Sequence, residues 1–423
     1  MSAGLRALVE AEALAAKRAA GALSDVAVDA ALAEAAALVR ARSAAILRAN
    51  EADVAAARGR VDAGMVDRLR LDGARVEAMA VQVAATAALP ALDREATAWT
   101  LDNGLRVSER RIPIGVVGAN FEARPNVALD IAAQLLKSLN AGVLRTGGAA
   151  LRTVTAIVDE VVRPALERAG LPPGAIGLVR SDDREGARIL VSMPQLVRLV
   201  VLRGSGATTA ALARLAAEHG VRTLAHAEGG GVLYIHAGAE PATALTLADN
   251  SLDRLGVCNR LNLALVDAAR TDIIPGLLEI FRRRNLAVRG TERARAVAGD
   301  AVAPLDRPLG HDWTSDPDRV STVTLDVVAS LDEAVEIAND ETSGLAAAIV
   351  TSDEAAAYRF LDAYRGTAAY WQAPTRFTDG FALTGAPETG INVDWTPGPR
   401  GPVTYRDLWL RQYRIIGDGS QHR

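Results

Sequence analysis

Cys258, in the stretch LGVCNRLN at residues 255–262, is the single cysteine of a 423-residue chain. A thiolate can attack an acyl carbon and hold the acyl group as a thioester, provided its pKa is lowered and donors meet the oxyanion. A free cysteine also packs as a small hydrophobe, and the residue type alone leaves both readings open. The neighbours suit the first reading. Gly256 gives backbone freedom, Asn250 and Asn259 carry amide donors, and the run LNLALVD would fix the position as a strand or buried helix.

Two glycine turns could serve a nucleotide. In VRLVVLRGSGATTAALARLAAEHG, Gly204, Ser205 and Gly206 stand between a buried strand and a helix. Small residues there let the backbone approach a phosphate, and the helix start offers free amides and a positive dipole end. The match to G-x-G-x-x-A is formal, since Ala210 misses the last place by one, and no acidic residue follows about 20 positions on to hold a ribose. A plain strand-to-helix turn is the other reading. VLRTGGA, residues 143–149, repeats the arrangement, with Arg145 as an anion partner beside Gly147 and Gly148. In EARPNV, residues 122–127, Pro125 breaks the chain and Asn126 opens a helix, as an N-cap or as an oxyanion donor. TRFTDGF, residues 375–381, gathers rings and charges in a loop for which Asp379-Gly380 also suits a packed turn.

The elements that would position these residues follow from periodicity. Residues 1 to about 90 carry Ala/Leu/Val stripes at helical spacing, a helical layer that covers a sheet. Asn103-Gly104 predicts a hairpin with a type I′ turn. Strand-like and helix-like stretches then alternate in two series, one before Cys258 and one after it, which predicts parallel doubly wound sheets in two α/β domains. The chain is 50% apolar and 23% charged with a net charge of −4, which argues against a nucleic-acid or anionic-membrane binder. One cysteine excludes intrachain disulfides and cysteine-rich metal sites, and five histidines leave little for a metal cluster, so no metal is expected. Only two of the 47 basic residues are lysines. No stretch approaches the roughly 20 apolar residues of a membrane span and no leader pattern opens the chain, so a cytoplasmic protein is expected.

Taken together and in order, RIPIGVVGANFEARPNVALDIAAQLLKSLNAGVLRTGG, NSLDRLGVCNRLNLALV, SGLAAAIVTSDEAAAYRFL, TRFTDGF and RGP at 400–402 resemble the gamma-glutamyl phosphate reductase family, the proline-biosynthesis branch of the aldehyde dehydrogenase superfamily. The resemblance implies two Rossmann-type α/β domains and a small β oligomerisation element. Residues 1–98 and 113–240 would bind the nucleotide, 241–370 would carry Cys258, 99–112 and 403–416 would form the hairpin and C-terminal strand, and 371–402 would return to the first domain. It further implies NADPH, a small acyl substrate and a homo-oligomer, dimer or tetramer. Carried onto matching positions, Cys258 is the nucleophile and Asn126 the oxyanion donor, with His226 or Glu228 in the region of the superfamily's general base. Arg145, Gly147, Gly148, Gly204, Ser205, Gly206 and Glu388 would hold the cofactor. The reaction implied is reduction of gamma-glutamyl phosphate to the semialdehyde through a Cys258 thioester.

The departures from the family pattern cluster. Gly231-Val232 replaces a Cys-His pair, Leu345-Ala346-Ala347 follows Gly344 where histidine, threonine and aspartate are usual, and Asn262 replaces a glutamate. QAPT at 372–375 and TGAPETGIN at 384–392 replace NAST and GLGAEVGIS. This pattern admits a specialised reductase or dehydrogenase with another acyl substrate, and a non-catalytic nucleotide-binding scaffold.

Overall fold

The computed structural model describes residues 2–61, 63–204, 206–226, 228–395 and 398–421. In chain order its strands are β1 (Glu95–Thr100), β2 (Arg106–Pro113), β3 (Val116–Phe121), β4 (Ala141–Thr146), β5 (Ile176–Leu178), β6 (Leu199–Arg203), β7 (Arg222–His226), β8 (Gly231–Ile235), β9 (Leu261–Asp267), β10 (Ala287–Gly290), β11 (Ala303–Pro304), β12 (Thr322–Val328), β13 (Ala346–Val350), β14 (Ala368–Trp371), β15 (Gly390–Asn392), β16 (Gly401–Val403) and β17 (Trp409–Ile416). The apolar runs without alternation become fully buried parallel strands, as expected for sheets covered on both faces.

The first sheet has the order β5-β4-β3-β6-β7, all parallel. Its strand order reverses between β3 and β6, which opens a crevice at their carboxyl ends. The alanine-rich N-terminal helices do cover it. Helices Asp25–Ala41, Ser43–Ala57 and Gly73–Ala88 pack with helix Pro125–Lys137 on one face, while Val9, Ala13 and Ala16 of helix Ser2–Ala20 cover the other. Lys137, almost fully buried at the end of helix Pro125–Lys137, donates to Asp29 at 2.5 Å and to the Ala87 carbonyl, which pins that helix to the N-terminal layer.

The second sheet is parallel with order β11-β10-β12-β9-β8-β13-β14. The change of sheet falls between His226 and Gly231, ahead of the boundary expected at 240. GVLYI is an apolar run that reads equally as a strand of either sheet; its pairing with β9 and β13 decides. Of residues 371–402, Trp371 still belongs to the second sheet and the stretch around 389–392 lies against the first: the side-chain oxygen Oδ1 of Asn392 accepts from Ala225 N at 3.3 Å and Arg203 donates to Thr389 O at 3.2 Å.

β1, β2 and β17 form a separate antiparallel sheet, so the hairpin starts four residues earlier than the expected 99. Its turn is not type I′. Leu101 and Leu105 close a three-residue loop in which Gly104 N bonds to Leu101 O at 2.8 Å, and Gly104 has a φ of +83° while Asn103 is not left-handed. Type I′ needs positive φ at both central residues, and here only the glycine adopts it. Trp99 and Tyr413 meet edge to face at 6.1 Å on this sheet, and Leu410, Ile415 and Ile416 are exposed. Among the described residues no helix is long and apolar enough to cross a membrane.

Candidate active site

Cys258 lies in the loop that leads into β9, and its backbone is clamped from both sides. Gly230 N donates to Cys258 O at 2.6 Å, and a Cβ on Gly229 would stand 2.5 Å from the Cys258 Cβ, so only glycine lets the 229–230 segment pass this close. On the other side, the Asn259 amide donates to the carbonyls of Arg376 and Thr378, both at 3.0 Å, and Thr375 Oγ1 donates to Asn259 O at 2.8 Å. Arg376 pairs with Asp253 at 2.5 Å and with Asn259 Oδ1. Arg260 is fully buried and donates to the carbonyls of Leu261, Val320 and Thr322. The TRFTDGF loop is therefore the wall that fixes the cysteine loop. Asn250, by contrast, is exposed at the end of helix Pro241–Asn250 and takes no part in this clamp.

The departures from the family pattern fall into two groups. Asn262 holds a second loop: its amide donates to His311 O at 2.8 Å and its oxygen accepts from Trp313 N at 3.1 Å. Only a side chain with both donor and acceptor does this, which an ionised glutamate lacks. The loop so held sets Asp312, which accepts from Gly229 N at 2.8 Å and acts electrostatically on Cys258. At Gly231 a Cβ would run into Thr375 Oγ1 and Arg260 O, so Gly231 and Thr375 are a matched pair. Leu345 and Ala346, in contrast, join Ile391 and Val393 in a small apolar cluster on which Cys258 and Tyr370 pack.

The first sheet brings charge to the thiol. Glu122 and Arg124 follow β3, and Arg203 ends β6, so they meet at the crevice where strand order reverses. Arg124 is the N-cap residue of helix Pro125–Lys137 and Pro125 its first residue, so Asn126 sits inside the first turn and is not the cap. Its amide donates to Asp130 at 3.2 Å, one turn on. Burial pushes the Asp130 carboxyl up to about 7, against the opposing Arg203 charge and the Asn126 hydrogen bond. Glu388 accepts from Gly380 N at 3.0 Å and contributes charge to the same group, acting on Arg203, Asp130 and Cys258. Arg203 is thus the common neighbour of Glu122, Glu388, Asp130 and Cys258.

Burial pushes the Cys258 thiol up to about 12, with Asp312 and Glu388 adding to the rise and Arg203 and Arg124 opposing it. The resting residue is a neutral thiol at physiological pH. Its alkylation by iodoacetamide in the ligand-free protein is therefore expected to keep rising past pH 10, where an ordinary thiol with a pKa near about 8.5 has levelled off. A plateau by pH 9 in a pH–rate measurement would show a thiolate formed without substrate.

The two glycine turns differ. At Gly204, φ is +157° and among the described residues a Cβ would meet only Thr209 Oγ1 at 3.7 Å, beside the start of helix Gly206–Glu218. That fits a phosphate of a dinucleotide. Ser205 lies outside the described residues. A Cβ on Gly147 would meet Ala123 N at 3.1 Å and one on Gly148 would meet the Asp182 Cβ at 2.8 Å, so protein packing fills that turn. Arg145 is buried, donating to Asn120 Oδ1 at 3.3 Å and to the carbonyls of Asp182 and Asp183. Its two terminal nitrogens brace a loop, and its buried Nε has no partner among the described residues. His226 ends β7, its side chain lying outside the described residues, and Glu228 is exposed. Arg124, Arg203, Asp130 and Asp312 were not singled out from sequence; for Arg203 alone a local signal existed, its place directly before the glycine turn.

Comparison with known proteins agrees with this arrangement. Residues 322–398 match the aldehyde dehydrogenase family. The chain is 36% identical over 397 residues to the gamma-glutamyl phosphate reductase of Rhodospirillum rubrum, covering 93% of this chain and 90% of that protein. It superposes on the crystal structure of gamma-glutamyl phosphate reductase from Thermotoga maritima with a TM-score of 0.91 at 27% identity, over 98% of this chain and 100% of the other. An engineered glycolyl-CoA reductase with bound NADP+ shares the fold, with a TM-score of 0.68 at 15% identity over 97% and 96% of the two chains. A clamped cysteine between two doubly wound sheets, together with identity that runs along nearly the whole chain, places this protein in the gamma-glutamyl phosphate reductase family, oxidoreductases of the aldehyde dehydrogenase fold.

Proposed function

We propose that this protein reduces gamma-glutamyl phosphate to glutamate 5-semialdehyde through a Cys258 thioester, with NADPH as reductant. The observation that carries the reading is the placement of Cys258, clamped by Gly229, Gly230 and Asn259, against the charged crevice of the first sheet. Cys258 attacks the acyl carbon and phosphate leaves. The Asn126 amide, oriented by Asp130, and the cysteine's own backbone N–H are the donors for the oxyanion. The turn of Gly204 and Gly206 would hold NADPH, which would supply the hydride that takes the thioester to the aldehyde. Glu388 and Arg203 line the approach from that turn to the thiol. Arg145, Gly147 and Gly148 support the domain around it. No water is activated in this direction, so neither His226 nor Glu228 is required as a base.

A second reading has one observation behind it: Leu345 and Ala346 give Cys258 an apolar neighbour cluster, which favours a less polar acyl donor. A donor comparison separates the two. NADPH oxidation with glutamate, ATP and a glutamate kinase is expected to exceed that with propionyl phosphate or an acyl-CoA in kcat/KM; the opposite order moves the assignment to the second reading. The exposed apolar residues of the β1-β2-β17 sheet support a homo-oligomer, dimer or tetramer, assembled through that sheet. A cytoplasmic location fits a single, free cysteine.

A further inference from the structure

Arg124 and Arg203 have no part in the attack or the oxyanion step just described, yet both guanidinium charges act on Cys258. They come from the two strands that flank the reversal of the first sheet, β3 and β6, at the end where open α/β sheets take ligands. Both lean on one carboxylate, Glu122, at 3.2 Å from Arg124 and 3.7 Å from Arg203. Arg203 also donates to the Thr389 carbonyl and feels the charges of Glu388 and Asp130, and among the described residues Glu122 is the sole ion-pair partner of Arg124. Two guanidinium forks that converge from different elements match a tetrahedral oxyanion better than a carboxylate does, since each fork can take two of its oxygens. An acyl phosphate carries its phosphoryl group on the carbon that the thiol attacks, so any site for that group has to adjoin the sulfur.

We propose that Arg124 and Arg203 form the anion site that receives the phosphoryl group of the acyl phosphate and holds it as it departs. The assignment rests on the acyl-phosphate reading above. In the resting protein Glu122 holds the two forks together, and the phosphoryl oxygens take over those contacts. In the step itself the S–C bond forms and the C–O bond to phosphate breaks, with its electron pair leaving on oxygen. The thiol hydrogen goes to the departing group, so that thiol and acyl phosphate dianion give thioester and hydrogen phosphate. The arginines thereby keep a proton acceptor beside a sulfur that is not ionised at rest.

Calorimetric titration of inorganic phosphate into NADP+-saturated protein tests this without turnover. Wild-type protein is expected to bind phosphate, Arg124→Gln and Arg203→Gln to weaken it at least about tenfold, and Arg203→Lys to weaken it less than Arg203→Gln. Should Arg203→Gln fail to fold, Arg203→Lys and Arg124→Gln carry the comparison. Equal affinity in wild type and both glutamine variants overturns the site. So does phosphate binding that NADP+ abolishes, since the pair would then hold a cofactor phosphate. Failure of Cys258 acylation with phosphate binding intact would count against the proposed function and leave the anion site standing.

Discussion

Cys258→Ala is expected to lower NADPH consumption with gamma-glutamyl phosphate by at least about three orders of magnitude, the scale on which removal of a nucleophile acts. The fold should survive the change. The contacts that hold this loop are made by the Cys258 carbonyl, Asn259 and Arg260, and the Cβ that packs on Gly229 is retained. The variant should therefore bind NADPH as the parent does, by fluorescence titration, while steady-state turnover is lost. Turnover within tenfold of the parent would mean that the sulfur is only packing on Leu345 and Val393.

Asn126→Ala is expected to reduce kcat by about 10²- to 10³-fold with little change in KM, because an oxyanion donor acts in the transition state and not in the ground state. The side chain is held in one orientation. It projects from the first turn of a helix that Lys137 and the N-terminal layer hold rigid, and its amide is oriented by Asp130 at 3.2 Å. Steady-state kinetics decide: an unchanged kcat would reduce Asn126 to a partner of Asp130.

Much of the scaffold was legible because it is written locally. Apolar runs of strand length, helical stripes of alanine and leucine, and glycine turns each act within a few residues, and the two parallel sheets followed from their alternation. What was not legible depends on pairing between distant segments. GVLYI could join either sheet, and only its ladder with β9 and β13 moves the domain boundary ahead of 240. Arg124 and Arg203 become neighbours only because β3 lies beside β6. Arg145 reads as an anion partner because it precedes two glycines; the close approach of Ala123 and Asp182 to those glycines comes from distant segments and has no local signal. Asn262 looked like a lost acid near the nucleophile; its amide instead holds the loop of Asp312, a role that needs a donor and an acceptor at once. Of the altered positions, Leu345 and Ala346 are the ones that reach the cysteine.

The central claim is the thioester, and it is tested most directly by mass spectrometry of protein mixed with gamma-glutamyl phosphate, generated in place by a glutamate kinase, in the absence of NADPH. The account predicts a gamma-glutamyl adduct on the peptide that contains Cys258, discharged when NADPH is added. An enzyme that turns over normally yet carries no adduct on Cys258, or carries it on another residue, would contradict it.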